Sequence, residues 1–139
     1  HPICPANWRN NMSYKLTLTF CAAVLGLISL RMHIDPAGIT ASEFPYAEGD
    51  AFDVAVTIRR LIASLLFVIA SITFFARGIE GGKSQQSLLN GCILGFAVMC
   101  ITVGIMTVTQ IANLVIAAVV FAVLTAICLF SRIRINLNE

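Results

Sequence analysis

Charged residues are scarce in this chain, and the scarcity excludes several classes of protein. Asp, Glu, Lys and Arg make up 12% of the 139 residues, whereas 58% are hydrophobic and the mean hydropathy is +0.89. A soluble domain carries about 25% charged residues, so a soluble globule and a disordered chain are both excluded. A net charge of +2 is far from the basic surface of a nucleic-acid-binding domain. The composition predicts one compact domain whose partner is the lipid bilayer, with no nucleic acid bound.

Residues that perform catalysis or hold cofactors are also few. The sequence contains no P-loop, no His-x-x-Glu-His and no Gly-x-Ser-x-Gly motif. Its two histidines, His1 and His33, lie outside the apolar runs or at their edge, so a haem would find no axial ligand at depth. His33 and the acids that follow it lack the spacing of a calcium loop. We therefore predict no enzyme, no cofactor and no metal site.

Cysteine usage does not indicate redox chemistry either. No Cys-x-x-Cys pair occurs, and such a pair is the main signature of thiol oxidoreductases. Four of the five cysteines lie in apolar runs, where a free thiol is typical of a small packing residue. The five are Cys4, Cys21, Cys92, Cys100 and Cys128.

Long apolar runs dominate what is present. They predict four transmembrane helices, at about 14–34, 54–76, 88–108 and 114–131. The last two come from one uncharged stretch of 48 residues, Ser84 to Ser131. A single helix of that length would span far more than the ~30 Å hydrocarbon layer, so the stretch must turn back, at about 109–113. The predicted fold class is an all-α, integral membrane four-transmembrane-helix bundle over residues 14–131.

The two ends of the chain are predicted as tails, 1–13 and 132–139. Met12 is a candidate for the natural start, in which case residues 1–11 say nothing about the fold. A cleaved signal peptide is the alternative interpretation of the first helix, because Lys15 precedes a 15-residue apolar run. The segment that follows has no small-x-small cleavage site, so we predict that the helix is retained.

Orientation follows from the positions of Lys and Arg beside the spans. Six basic residues flank one side: Arg9, Lys15, Arg77, Lys83, Arg132 and Arg134. The other side has Arg31, with Arg59 and Arg60 just inside the second helix, and a loop at 35–53 that holds five acids and no base. We predict that both termini are cytoplasmic and that the acidic loop lies outside.

Small residues spaced four apart recur in three of the predicted helices. Such pairs let helix backbones approach closely in lipid. The candidate helix-packing residues are Ala22 and Gly26 in the first helix, Gly91, Gly95 and Gly104 in the third, and Ala118, Ala122 and Ala126 in the fourth. We predict packing within the bundle, with a homodimer face on the fourth helix as the alternative.

The second helix carries the one strong polar stripe. Asp53, Thr57, Arg60 and Ser64 recur at spacings that place them on one helical face, and Arg59 lies about 100° away. Charge inside a membrane is costly, so the stripe is either an ion-paired interface or a ligand or ion site. In the first interpretation Arg60 pairs with the acidic loop, while Arg59 meets lipid phosphate.

The order of short motifs resembles a group of small bacterial inner-membrane proteins that have four helices and form a domain of unknown function. The motifs are Asp35-Pro36, Asp53 followed by Arg59-Arg60, Phe74-Phe75-Ala76-Arg77, and Ser87-Leu88-Leu89-Asn90-Gly91. The resemblance covers roughly 14–131, although Leu61-Ile62 stands where that group has a Gly pair. It implies a location in the bacterial inner membrane and supplies no activity, cofactor or catalytic residue.

The function predicted from these features is non-catalytic. We expect an accessory or scaffold subunit that acts through helix–helix packing, in a homo-oligomer or a larger membrane complex. The alternative is a small transporter or channel whose outer entrance is formed by Asp53, Arg59 and Arg60. A membrane enzyme is a third hypothesis, for which His33 and Asp35 are the available acid–base pair.

Overall fold

The computed structural model describes residues 5–80, 82–109 and 114–136, with side chains described from 13 to 80, 83 to 109 and 114 to 135. Within these ranges the chain forms five helices: α1 (Pro5–Ile34), α2 (Pro36–Glu43), α3 (Asp50–Ala76), α4 (Gly82–Val108) and α5 (Val115–Asn136). All but α2 are long and apolar enough to cross a membrane. The all-α prediction with four such helices is confirmed.

The predicted loop at 35–53 contains a helix. Asp35 caps α2, because its carboxylate Oδ1 accepts a hydrogen bond of 2.8 Å from the backbone N–H of Gly38. Pro36 follows the end of α1 and occupies the first turn of α2, where its missing N–H costs nothing. Proline therefore separates two helices here, and the connection without helix shortens to 44–49.

All four long helices extend beyond the predicted bounds: α1 begins at Pro5, inside the predicted tail 1–13, and α3 begins at Asp50 instead of 54. α4 begins at Gly82, because the polar residues at 83–87 form its first turns, and α5 continues to Asn136. Hydropathy marks only the part of a helix that lies in hydrocarbon, whereas a helix continues to the headgroups wherever no breaker stops it. Most of the turn predicted at 109–113 lies outside the described residues, and so does the tail at 137–139.

The four long helices pack as two pairs. α1 lies along α3, α4 lies along α5, and the pairs meet mainly where α1 contacts α5. Tyr14 and Ala76 are in contact at one end of the first pair, and Ser29 and Ala63 nearer the other, so α1 and α3 are antiparallel. α3 and α4 are consecutive in the chain but do not pack along each other.

The core lies where α1 meets the other helices. Its most deeply buried apolar side chains are Tyr14, Leu18, Cys21, Leu25, Leu89, Leu124 and Cys128. We call the end of the bundle that carries Lys15, Arg77, Lys83, Arg132 and Arg134 the basic end, and the end formed by 35–53 the acidic end. Glu80 is the acid at the basic end among the described residues.

Candidate functional site

An ion pair fastens α2 to α3 at the acidic end. Arg59 Nη2 donates to Glu43 Oε2, and the Arg59 side chain is buried. Arg60, one position along, is exposed. The sequence predicts that Arg60 pairs with the acidic loop and that Arg59 meets lipid phosphate. The first prediction is wrong, because α2 packs over the side of α3 that presents Arg59, and Arg59 is the residue that pairs with segment 35–53.

A second polar contact at this end joins α1 to α3. Ser29 Oγ donates to the carbonyl oxygen of Ala63 at 2.7 Å, and both residues are fully buried. His33 Nδ1 lies 3.0 Å from the carbonyl oxygen of Ser29, and its Nε2 lies 3.4 Å from Ser64 Oγ. The sequence predicts Ser64 as a candidate site residue but not its contact with His33, because the two residues are 31 positions apart in the chain.

The predicted stripe does not form one site. Asp53, Thr57, Arg60 and Ser64 lie exposed on one side of α3, and Arg59 lies buried on another. Thr57 Oγ1 and Ser64 Oγ each donate, at 3.0 Å, to a carbonyl oxygen four residues earlier in the same helix. These hydroxyls are therefore satisfied locally, as is usual for Ser and Thr in membrane helices.

The candidate packing residues separate into a packed and an unpacked group. Ala22 is buried in the core, and Ala118 is half-buried with its carbonyl oxygen 3.6 Å from Cys100 Sγ. The four candidate glycines are not closely packed, since a Cβ added at Gly26, Gly91, Gly95 or Gly104 would have nothing within 4 Å. Ala122 and Ala126 are exposed on α5.

Gly91 and Gly95 line an apolar cleft between α3 and α4, with a volume of about 700 Å³. One wall is a face of α3 that includes Leu66, Ile69 and Thr73; the other is a face of α4. The floor is formed by Leu25, Phe96 and Phe121, and the rings of the two phenylalanines have centroids 6.3 Å apart. None of the polar stripe residues borders this cleft.

The α4 wall changes in polarity along its length. Ser84 and Ser87 lie near the basic end, followed by Gly91, Gly95 and Met99 toward the middle of the helix. These residues are three or four positions apart and therefore share a face. The sequence predicts Gly91 and Gly95 as a packing motif but does not place Ser84 and Ser87 on the same face. The two serines precede residue 88, where the predicted helix begins.

Two of the four cysteines whose side chains the structure describes, Cys21 and Cys128, are buried, and Cys92 and Cys100 are half-buried. Cys21 Sγ and Cys128 Sγ are 3.7 Å apart and join α1 to α5 as free thiols. Within the described parts of the chain, no three His, Cys, Asp or Glu side chains are close enough to hold a metal ion.

No family model matches the chain, and neither a curated protein nor a solved structure is significantly similar to it.

Proposed function

We propose that the chain is a non-catalytic integral membrane protein that acts as an accessory or scaffold subunit through helix–helix packing. The observation that carries this proposal is the outward face of α5. There Ala122 and Ala126 are exposed one turn apart, and Val119 and Val123 are exposed beside them. Because alanine side chains are short, we infer a shallow groove at these two positions.

In lipid such a groove favours contact with another helix. Lipid tails are as apolar as the helix surface, so helices associate through close van der Waals packing where small residues let backbones approach. The packing within this chain uses the opposite side of α5, where Phe121, Leu124 and Cys128 are buried. The alanine face is therefore free for a second copy of the chain, giving a homo-oligomer, or for a subunit of a larger membrane complex.

The location we propose is the bacterial inner membrane, with both termini in the cytoplasm. Its support is the distribution of charge: the basic end carries five Lys and Arg residues from Lys15 onward, whereas residues 35–53 carry acids and no base. The retained first helix is supported by α1, whose Leu18, Cys21 and Leu25 are among the most deeply buried residues of the core.

The test is the mass of the complex purified from native membranes in nanodiscs. With Ala122→Leu and Ala126→Leu combined, we expect the complex to dissociate into single chains, because two leucines fill the groove. Val123→Leu is the matched control, since it adds bulk to a neighbouring exposed position outside the alanine pair. A wild-type chain that elutes alone and fully folded would contradict the proposal.

The alternative function is a small transporter or channel with its entrance at Asp53, Arg59 and Arg60. Its support is the exposed polar face of Asp53, Thr57 and Arg60 at the acidic end. Against it stand the ion pair that engages Arg59 and the position of the cleft, which these residues do not border. Solute flux in liposomes that Arg60→Ala abolishes and Arg31→Ala leaves intact would establish the alternative.

A further inference from the structure

We propose that the cleft between α3 and α4 binds one acyl chain of an anionic phospholipid, with the phosphate of that lipid at the basic end. This site is separate from the alanine face of α5, so the inference goes beyond the accessory role and does not depend on it. The volume of the cleft, its length and polarity, and the charged residues next to its lining support this proposal.

The volume of the cleft suits a lipid acyl chain and is too small for a transmembrane helix. About 700 Å³ is available, which lies within the ~300–1,000 Å³ typical of small-molecule sites. A transmembrane helix about 10 Å across would need roughly 1,700 Å³ over the ~22 Å that the cleft follows α4. A partner helix therefore does not fit between α3 and α4 unless the α1–α3 pair and the α4–α5 pair move apart.

The length and the polarity match a lipid that stands upright in one leaflet. From Ser84 to Met99 the α4 wall is about 22 Å long at ~1.5 Å per residue. One leaflet contributes about half of the ~30 Å hydrocarbon layer, so this wall extends past the chains into the headgroup level. The two serines stand where an ester or phosphate would lie, and the apolar part stands where the acyl chain would lie.

The glycines make room for the chain. Gly91 and Gly95 are exposed on the cleft wall, and an added Cβ at either position would have no atom within 4 Å. The helix therefore has an uncovered groove at these positions. A methylene chain pressed against it would gain contacts that neither α3 nor any other described residue supplies.

Charges next to the cleft favour an anion. Neither Arg77 nor Lys83 lines the cleft, but Arg77 follows Ala76 and Lys83 precedes Ser84, two residues that do, and Lys83 is exposed. Glu80 lies between the two cations in sequence. The segment 77–83 has a net charge of +1. Arg77 Cζ lies 3.7 Å from the centroid of the Phe74 ring, so that cation is already partly engaged. Lys83 is the cation we assign to the lipid phosphate.

The experiment counts lipids that remain on the purified full-length chain. The protein is exchanged into detergent micelles that contain palmitoyl-oleoyl phosphatidylglycerol or phosphatidylcholine, and native mass spectrometry measures the lipid retained. We expect the wild type to retain one phosphatidylglycerol in preference to phosphatidylcholine. Gly91→Leu with Gly95→Leu should lower retention about tenfold, because the leucines occupy the space of the acyl chain.

The controls separate the cleft from general lipid adhesion. Gly104→Leu makes the same change on α4 outside the cleft and should retain lipid as the wild type does. Lys83→Gln should lower the preference for phosphatidylglycerol about fivefold while the lipid still binds, and Arg31→Gln at the acidic end should not. If the double leucine variant fails to fold by circular dichroism, Gly95→Ala should still lower retention by about twofold to threefold.

Three results would overturn the inference: no lipid on the wild type, full retention by the folded leucine variant, or equal loss in Gly104→Leu. Equal retention of the two lipids would overturn the assignment of an anionic headgroup. The Ala122→Leu and Ala126→Leu pair should leave lipid retention unchanged. Failure of the accessory role and failure of the lipid site would therefore be seen in different variants.

Discussion

Two seams of this bundle have opposite construction. Between α1 and α3, polar side chains cross from one helix to the other: Tyr14 Oη donates to the carbonyl oxygen of Ala76 at 3.0 Å, and Ser29 Oγ donates to that of Ala63. Between α3 and α4 a cleft remains, and its facing residues include Gly91 and Gly95 on α4 and Ile69 on α3. The most apolar window of α1 is 33% buried, compared with 11% for that of α4.

The comparison shows what closes a seam in lipid. Small residues permit close approach and van der Waals contact between helices, and in the α1–α3 seam hydrogen bonds from one helix to the other add to that contact. The α1–α3 seam combines a small residue, Ala63, with a hydroxyl that reaches the backbone beside it. Gly91 and Gly95 are small as well, but among the described residues no hydrogen bond joins this part of α4 to α3, and the two helices do not pack along each other.

The largest loss of stability should come from breaking the ion pair that joins α2 to α3, on the side of the bundle where α3 packs against α1. Glu43→Ala leaves the Arg59 guanidinium buried without its carboxylate. We expect a loss of about 3 kcal/mol in the free energy of unfolding, at the low end of the ~3–5 kcal/mol for buried pairs, because Glu43 keeps 17% of its side chain exposed. Denaturation in mixed micelles with rising dodecyl sulfate measures this loss.

Glu48→Ala is the control for that prediction, since Glu48 is an exposed acid in the same connection. It should leave the denaturation midpoint unchanged. Equal midpoints for Glu43→Ala and the wild type would show that the ion pair does not hold α2 in place.

Adding the same bulk to each seam tests the difference directly. Ala63→Leu should destabilise the protein by about 2 kcal/mol, because Ala63 is fully buried against α1 and overpacking costs ~1–3 kcal/mol. Gly95→Leu should not destabilise it, since the new side chain enters open space and leucine favours the helix over glycine. The same denaturation measurement compares the two variants, and a larger loss in Gly95→Leu would contradict the open seam.

The smallest effect should come from a single hydrogen bond in the closed seam. Ser29→Ala removes the donor to Ala63, and we expect a loss of about 0.6–1.5 kcal/mol, as found for hydrogen bonds between membrane helices. Ser71→Ala is the control, because Ser71 Oγ bonds to a carbonyl of its own helix at 2.9 Å. Identical denaturation curves for Ser29→Ala and Ser71→Ala would show that the hydrogen bond from Ser29 does not stabilise the contact between α1 and α3.

Prediction from the sequence succeeded for features that depend on local composition. The four apolar helices were found because hydropathy adds along a run of residues and needs no knowledge of neighbours. Spacings of three and four placed Asp53, Thr57, Arg60 and Ser64 on one side of α3, as the structure shows, but did not predict the role of that side. Arg59 and Arg60 were both predicted as candidate residues of an ion pair or a ligand site, because charged residues are rare inside a membrane span.

Prediction failed where the answer depended on what packs opposite. Helical spacing separates Arg59 from Arg60 by about 100°, but nothing in the spacing says which side α2 covers. Gly91 and Ala22 carry the same kind of packing motif, yet one lies open in a cleft and the other lies in the core. The α2 helix was missed because Asp35-Pro36 ends one helix and also starts another.

Residue chemistry read along the chain was sufficient to establish that four helices are suited to a membrane and to show which ends carry which charge. Both properties belong to segments taken one at a time. The tertiary structure was required to show that α3 packs on α1 and not on α4. An apolar helix in lipid has no preferred side until a partner supplies contacts, so the pairing of the helices, and with it the cleft, depends on the whole arrangement.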